Sequence, residues 1–291
     1  EMTRNDVTVA LSGDGGDELF AGYDRYRAVK LAARIDRMPS PLRSIASSSA
    51  WRLLPASTRQ KSLVRRGKRF AEALGNSPEL RYLQWVGIFD AKRRSDLWTD
   101  SFRERLGSAD ASEFLMDAYA ECPQRGFVTR TTCADVLTYL PCDILNKVDI
   151  ASMAYSLECR SPLLDHHVVE LAARMPMSLK RRGRRGKTIL VETFADLLPE
   201  SIQSRPKMGF GVPLDHWFRN ELRPLLEEVL MDPVAVSRGY FRPEAVRQLI
   251  DEHVSNRWDH SYRLWCLVCL EVWHRMYLDG NTPPTSPPAT L

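Results

Sequence analysis

The sequence has few cysteines, no long hydrophobic run and little surplus of charge. Its 291 residues include six cysteines in apolar or helical contexts, which favours reduced thiols in a cytoplasm over a disulfide framework. No apolar stretch reaches the ~18 residues that a membrane-spanning helix needs. The polar opening, Glu1 to Asp6, is not typical of a signal peptide. The net charge of +4 is too weak to indicate nucleic-acid binding. We therefore expect a cytoplasmic protein that binds neither membranes nor nucleic acid.

One short segment has the composition of a buried parallel strand, and most of the remaining chain has helical periodicity. Val7 to Leu11 is apolar and β-branched, and it leads into a glycine-rich turn. The rest predicts helices at Tyr23 to Met38, Asp165 to Met175, Lys187 to Leu198, Pro243 to Val254 and Ser261 to Asp279. The last twelve residues contain four prolines, which predicts a disordered tail.

Apolar residues recur at helical spacing between Leu137 and Tyr155, and Pro141 interrupts that pattern. Proline is tolerated in the first turn of a helix, so we expect two consecutive helices with Pro141 near the start of the second. No later segment looks like a partner for the strand at Val7 to Leu11. Because a parallel strand needs neighbours, we expect this chain to be the C-terminal part of a larger α/β protein.

The segment near the end of the chain is rich in tryptophan and contains a Cys-x-x-Cys pair. We expect Trp258, Trp265 and Trp273 to pack in the core. A structural zinc site needs four ligands, usually in two pairs. Cys266 and Cys269 are therefore interpreted as core cysteines on a helix.

The glycine-rich turn, Ser12 to Gly16, joins the strand to a predicted helix. In parallel α/β sheets ligands bind at this position, and glycine lets a ligand approach the backbone closely. The nearby acids Asp14, Asp17 and Glu18 would repel a bare phosphate, whereas a bridging Mg²⁺ accepts both carboxylate and phosphate oxygens. The alternative is an ordinary turn whose acids stabilise the helix N-terminus.

Four stretches resemble, in the same order, motifs of the synthetase domain of glutamine-hydrolysing asparagine synthetases. They are SGDGGDELFAGY (Ser12 to Tyr23), DILNKVDIAS with SLECRSPLLD (Asp143 to Asp165), GKTILVE (Gly186 to Glu192) and RPKMGFGVPL (Arg205 to Leu214). The resemblance extends over roughly residues 7 to 220. That family also has an N-terminal glutaminase domain with a cysteine nucleophile and a Ser-Gly-Gly-x-Asp-Ser pyrophosphate loop, and this sequence contains neither.

The resemblance implies a mainly helical chain. It would be the C-terminal portion of an α/β adenine-nucleotide α-hydrolase-like (PP-loop ATPase) domain, with one parallel-type strand near the N-terminus. Residues 1–279 would form this partial domain and residues 280–291 the tail. The implied reaction adenylates the side-chain carboxylate of aspartate with ATP, after which ammonia, supplied from glutamine in the full-length family, displaces AMP. The alternatives are amidation or cyclisation of a different carboxylate, and a non-catalytic fragment. A homodimer is left open.

The resemblance also implies roles for individual residues. The ATP contacts are Ser12, Gly13, Gly15 and Gly16, and Asp17 holds the Mg²⁺–pyrophosphate. Lys187 meets the phosphates and stabilises the charge that develops on them, and Asp14 supports formation of the acyl-adenylate. One of Asp143 and Asp149 orients Lys187 or activates the amine; the alternative for Asp143 is a helical salt bridge to Lys147.

Two further groups belong to the matched stretches. Glu158, Arg160 and Asp165 are expected to form a buried polar network, and Arg205, Lys207 and Gly209 to Gly211 a loop near the site. Lys187 ends a basic run that begins at Lys180. A Walker A loop is excluded because Arg181 stands where the first glycine is required. A nucleic-acid patch is disfavoured because no aromatic residues interleave the run.

Overall fold

The computed structural model describes residues 1–39, 67, 70–71, 73–203 and 211–280. Within them, 3-10 helices occupy Met2–Asn5 and Pro162–Leu164 and a π-helix occupies Leu140–Leu145. The strands and α-helices, in chain order, are β1 (Val9–Leu11), α1 (Gly16–Leu19), α2 (Asp24–Ile35), α3 (Pro78–Val86), α4 (Ala91–Leu97), α5 (Asp100–Leu106), α6 (Glu113–Ala120), α7 (Phe127–Leu137), α8 (Asn146–Met153), β2 (Glu158–Arg160), α9 (His166–Arg174), α10 (Met177–Lys180), α11 (Thr188–Thr193), α12 (Glu200–Gln203), α13 (Leu214–Trp217), α14 (Arg223–Leu230), α15 (Pro233–Ser237), α16 (Pro243–Val254) and α17 (Ser261–Tyr277).

The chain divides into two compact units. The first contains the described residues within 1–39, 70–85 and 110–203, and the second contains those within 67, 86–109 and 211–280. The glycine-rich turn and β1 belong to the first unit. No helix among the described residues combines the length and the hydropathy needed to cross a membrane.

The first unit contains a parallel pair of strands. β1 pairs with β2, with Val9 opposite Glu158 and Leu11 opposite Arg160. The expectation that no later segment of this chain pairs with β1 is therefore wrong. β2 has only three residues, and its charged ends are exposed, so it lacks the apolar, β-branched composition that predicts a buried strand.

Helices α2, α6 and α7 of the first unit pack together, and the buried carboxylate of Asp135 lies among them. It accepts hydrogen bonds from the hydroxyls of Tyr26 at 2.5 Å and Tyr82 at 2.6 Å, and from the Arg25 guanidinium at 3.0 Å. A buried charge is tolerated when it is paired and hydrogen-bonded in this way. Burial and the nearby Asp135 raise the pKa of Tyr26 and of Tyr82, so both hydroxyls stay protonated and keep donating.

The helical stretch around Pro141 is broken as its sequence predicts. α7 ends at Leu137, and the π-helix then begins at Leu140 with Pro141 in its first turn and continues into α8. The apolar residues of this stretch do not form a buried face in the chain. Leu140 is buried, whereas Leu137 and Tyr155 are exposed.

The second unit has an apolar core built mainly from α14, α16 and α17, with Phe218, Leu226 and Leu264 fully buried. The expected tryptophan core is wrong, because Trp258, Trp265 and Trp273 are each between 42% and 47% exposed. The buried face of α17 consists instead of Ser261, Leu264, Leu267, Val268, Glu271 and His274.

The Cys-x-x-Cys pair of α17 also lies differently from expectation. Cys266 is half-buried and Cys269 is exposed, so they are not core cysteines. Burial raises the pKa of both thiols. Leu264, Leu267 and Val268 lie on the buried face of the helix, and the cysteine pair lies beside that face.

The predicted helix bounds agree with the structure to different degrees. α16 begins at Pro243 and ends at Val254 as predicted. α11 is shorter than predicted and ends at Thr193 rather than Leu198. The predicted tail falls, apart from Gly280, outside the described residues.

Candidate functional site

The glycine-rich turn begins where β1 ends, and the segment after β2 fixes its position. The Ser12 amide donates to the Arg160 carbonyl at 2.8 Å, which extends the parallel pairing by one residue. The Ser12 hydroxyl donates to Asp14 Oδ2 at 2.8 Å and lies 2.9 Å from Ser161 Oγ. Ser12 is thus held by one distant segment, through the Arg160 carbonyl and the Ser161 hydroxyl, and by the nearby Asp14 carboxylate.

Gly15 has a left-handed backbone, and its lack of a side chain is a steric requirement. Its φ is +81°, and it is the residue immediately before α1. A Cβ at Gly15 would lie 2.2 Å from Leu164 Cδ2. Gly13, by contrast, is exposed and has open space where a Cβ would be. The turn is therefore packed on one side and open to an approaching group at Gly13.

Lys187 lies over this turn and pairs with Asp17. Its Nζ is 3.1 Å from Asp17 Oδ1, and the two side chains are 33% and 13% exposed. A Cβ at Gly16 would come within 3.5 Å of the same Nζ. The ammonium therefore faces both an acid and the glycine backbone, and a third of the Lys187 side chain stays exposed.

Close backbone contacts place Lys187 there. Its amide donates to the Phe20 carbonyl at 2.8 Å, and it precedes α11 with a left-handed φ of +54°. A Cβ at Gly186 would lie 2.4 Å from the Ala21 carbonyl oxygen. Ala21 itself has a φ of +52°. Left-handed backbone at a non-glycine residue costs of order 1 kcal/mol and recurs at functional sites.

Arg181 is a structural part of the site that sequence reasoning missed. It is 2% exposed, and its guanidinium donates to the carbonyls of Ala21 at 2.8 Å, Tyr23 at 3.2 Å and Arg184 at 3.3 Å. Burial lowers its pKa and that of its buried neighbour Lys180. Within a run of basic residues no local signal distinguishes Arg181 from its solvated neighbours, because only the tertiary fold buries it.

Glu18 has a structural role next to the turn. It is buried, and its carboxylate accepts a hydrogen bond from the Tyr23 hydroxyl at 2.6 Å. Burial raises the pKa of Glu18, and burial together with the Glu18 hydrogen bond raises the pKa of Tyr23. This pair joins α1 to the segment that precedes α2.

Asp143 and Asp149 are both exposed. Asp143 pairs with Lys147 at 3.3 Å, one turn further along the chain. The Asp149 carbonyl accepts from the Ser152 hydroxyl at 3.2 Å. The structure thus shows the alternative for Asp143, the salt bridge to Lys147. The acid that pairs with Lys187 is Asp17.

The expected buried network of Glu158, Arg160 and Asp165 is wrong. Glu158 and Arg160 form an exposed ion pair at 2.8 Å, because residues two apart in a strand point to the same side. Asp165 is exposed and accepts from the His167 amide at 2.9 Å, which caps α9. The proposed loop residues Arg205, Lys207, Gly209 and Phe210 lie outside the described residues.

The donors at the turn fit a divalent cation and phosphate oxygens in their chemistry. Mg²⁺ in phosphate sites takes one or two carboxylates together with phosphate and water oxygens. Asp14 and Asp17 are half-buried carboxylates on the same turn, and the Lys187 ammonium lies beside Asp17. The open backbone at Gly13 leaves room for the phosphates.

Comparison with known proteins identifies the family of the chain. A sequence model of the asparagine synthase family matches residues 1–275. The chain belongs to the asparagine synthase family. The match includes the glycine-rich turn, β2 and the Lys187 segment. No solved structure matches the chain.

Several curated proteins resemble this asparagine synthase family member over most of its length. It is 29% identical to asparagine synthetase (glutamine-hydrolyzing) 1 of Bacillus subtilis, over 97% of this chain and 42% of that protein. It is 33% identical to a Mycobacterium bovis protein provisionally named an asparagine synthetase (glutamine-hydrolyzing), over 97% of this chain and 41% of that protein. It is 24% identical to the amidase chyE of Penicillium rubens, over 84% of this chain and 38% of that protein. The chain spans about two fifths of the length of these relatives.

Proposed function

We propose that this chain forms part of an ATP-dependent, amide-forming ligase that makes asparagine from aspartate. The main support is the position of Lys187, whose ammonium lies beside Asp17 and next to the backbone of Gly16 in the glycine turn. The names of the relatives support the same reaction class. The substrates would be ATP, aspartate and ammonia, with glutamine as the source of ammonia.

The proposed reaction has two balanced steps. A side-chain carboxylate oxygen of aspartate attacks the α-phosphorus of ATP, and the bond from that phosphorus to the bridging oxygen of pyrophosphate breaks. The nitrogen of ammonia then attacks the acyl carbon and AMP leaves with the bonding electrons, while nitrogen loses a proton. In the first step an anion approaches an anion, so a fixed cation and positioned donors lower the barrier.

Lys187 would stabilise the charge that develops on the phosphates. Ser12, Gly13, Gly15 and Gly16 would bind the nucleotide, with Gly13 as the point of closest approach. Asp17 would hold Mg²⁺, which supplies further neutralisation of the phosphate charge. Asp14 would support acyl-adenylate formation from the same turn, where its carboxylate accepts a hydrogen bond from the Ser12 hydroxyl.

One of Asp143 and Asp149 would orient Lys187 or activate the amine. Both are exposed side chains on one continuous helical stretch, and Asp143 has a cationic neighbour in Lys147. Their role therefore needs a separate test by substitution. The small number of cysteines keeps a cytoplasmic location as part of the proposal.

The test measures aspartate-dependent exchange of labelled pyrophosphate into ATP by the gene product that contains this chain. We expect Lys187→Ala to lower the exchange rate at least ~100-fold, as loss of a charge-stabilising group does in other enzymes. Lys92→Ala is the matched control, because Lys92 is an exposed lysine paired with the exposed Asp96 and neither residue belongs to the proposed site. Equal exchange rates in the two variants would reject the role of Lys187.

A related reaction is the alternative, since an amidase is among the relatives. Exchange that depends on a carboxylate other than aspartate would assign the chain to amidation or cyclisation of that compound. The two reactions share the adenylation step, so the identity of the required carboxylate distinguishes them.

A further inference from the structure

Two thiols meet in the first unit, away from the glycine turn. Cys122 follows α6, Cys133 lies in α7, and their Sγ atoms are 3.1 Å apart. Both are free and half-buried, so small reagents have access to them. Neither belongs to the stretches that resemble the synthetase motifs. Their proximity therefore requires a separate explanation.

The packing of α6 against α7 holds these sulfurs together. The rings of Tyr119 and Phe127 stack with centroids 5.4 Å apart and planes within 2° of parallel. The Tyr119 hydroxyl donates to Thr131 Oγ1 at 3.1 Å, and Arg130 donates to the Tyr119 carbonyl at 3.2 Å. These contacts join the end of α6 to the first half of α7, so the two cysteines are positioned by a packed hairpin.

We propose that Cys122 and Cys133 form a reversible disulfide when the protein meets a peroxide. A disulfide has an S–S length of about 2.05 Å, so the sulfurs need to approach by about 1 Å. A shift of that size is within the reach of side-chain rotation at two partly exposed positions. A dithiol reductant would return both residues to thiols.

The chemistry balances with hydrogen peroxide as the oxidant. The sulfur of Cys122 attacks one peroxide oxygen, the O–O bond breaks, and water and a sulfenic acid form. The sulfur of Cys133 then attacks the sulfur of Cys122 and displaces the hydroxyl group, which leaves as water with the proton of the Cys133 thiol. In total, two thiols and one peroxide give one disulfide and two waters.

The burial of Cys133 favours one order of these events. Burial and the neighbouring Cys122 raise the pKa of Cys133 to about 12. Peroxide reacts with thiolates, and Cys133 remains a thiol near neutral pH. We therefore expect Cys122 to be oxidised first and Cys133 to resolve it.

The disulfide would stiffen a helix that supports the turn. Asp135 lies two residues after Cys133 on α7, and it accepts hydrogen bonds from Arg25 and Tyr26 on α2. α2 begins at Asp24, directly after the motif Ser12 to Tyr23 that contains the turn. We expect oxidation to raise the melting temperature, because the cross-link restricts the unfolded chain between residues 122 and 133.

The experiment treats the protein with hydrogen peroxide, alkylates the remaining thiols and identifies the digested peptides by mass spectrometry. We expect a cross-linked peptide that joins Cys122 to Cys133, a loss of alkylation at both, and full recovery of alkylation after reduction with a dithiol. Cys142 provides an internal control, since it is an exposed free thiol. We expect no cross-linked peptide that contains it.

Two variants sharpen the test. Cys133→Ser should stop Cys122 at the sulfenic acid, which a dimedone probe detects, and Cys142→Ser should leave the cross-link intact. Unchanged alkylation of Cys122 and Cys133 at peroxide doses that oxidise Cys142 would overturn the proposal. The proposal would also be overturned if either residue of the wild-type protein were oxidised to a sulfinic acid and no cross-linked peptide formed.

Discussion

Lys187 Nζ and Asp17 Oδ1 lie 3.1 Å apart, although the two residues come from opposite ends of the first unit's sequence. The family resemblance implies separately that Lys187 contacts the phosphates and that Asp17 holds the Mg²⁺–pyrophosphate. Their pairing has a simple electrostatic consequence. The acid neutralises the ammonium while no phosphate is bound, and the ammonium keeps the acid from repelling an incoming anion.

The strength of this pair can be measured with a double-mutant cycle. We expect Asp17→Asn and Lys187→Gln to show a coupling of about 0.5–1 kcal/mol in the free energy of unfolding, because both side chains are partly buried. The control cycle uses Asp143→Asn and Lys147→Gln, an exposed pair for which a smaller coupling is expected. A coupling at the control pair as large as at Lys187 would contradict the special placement of the ammonium.

A methyl group at Gly186 should disturb the site through the backbone. The added Cβ would lie 2.4 Å from the Ala21 carbonyl oxygen and 2.8 Å from Gly22 Cα, so the chain has to move. We expect Gly186→Ala to destabilise the protein by about 1–3 kcal/mol in urea unfolding. Gly75→Ala is the control, because a Cβ there meets open space. Equal stability of the two variants would show that the segment before Lys187 is loosely packed.

Arg181 should matter far more than Arg184, three residues away in the same basic run. Arg181→Ala leaves the carbonyls of Ala21 and Tyr23 without their donor, and we expect a loss of about 2–3 kcal/mol. Arg184→Ala removes an exposed side chain and should change stability by less than about 0.5 kcal/mol. Thermal melts of both variants test this difference. Similar melting temperatures would argue against a structural role for the buried Arg181 guanidinium.

The second unit should lose stability as the pH falls towards 4. Burial and the nearby Arg219 lower the pKa of His253 to about 4. Between an unfolded pKa near 6.5 and that value, only the unfolded chain binds the proton, so acid favours unfolding. The loss amounts to about 3 kcal/mol across this window for one histidine. Urea titrations from pH 7 to pH 4 measure it.

The control for this pH dependence is His253→Gln, which removes the titrating group and keeps an acceptor for the His260 amide. Its unfolding free energy should vary less with pH over the same window. A wild-type protein and variant with parallel pH profiles would assign the acid sensitivity to other groups.

The sequence predicts the local parts of the site well and their assembly poorly. β1 and the turn are recognisable because an apolar run leads into glycines, but the expectation of a buried strand is wrong, since β1 has no buried residue and Leu11 is 73% exposed. β2 has three residues with charged ends, so nothing local distinguishes it from a loop. Arg181 lies in a basic run that resembles a solvated surface, and only the carbonyls of Ala21 and Tyr23 explain its burial. Trp265 and Trp273 follow a helical period, but α17 buries a different face.

The hydrogen bond from the Ser12 amide to the Arg160 carbonyl has a consequence for how the protein is made on the ribosome. The turn leaves the ribosome well before the segments that hold it, which are β2 and the loop before Lys187. Contacts of this separation form late and slowly. Translation therefore has to pass Lys187 before the turn can take its final shape, and a nascent chain arrested earlier would lack the contacts that hold it.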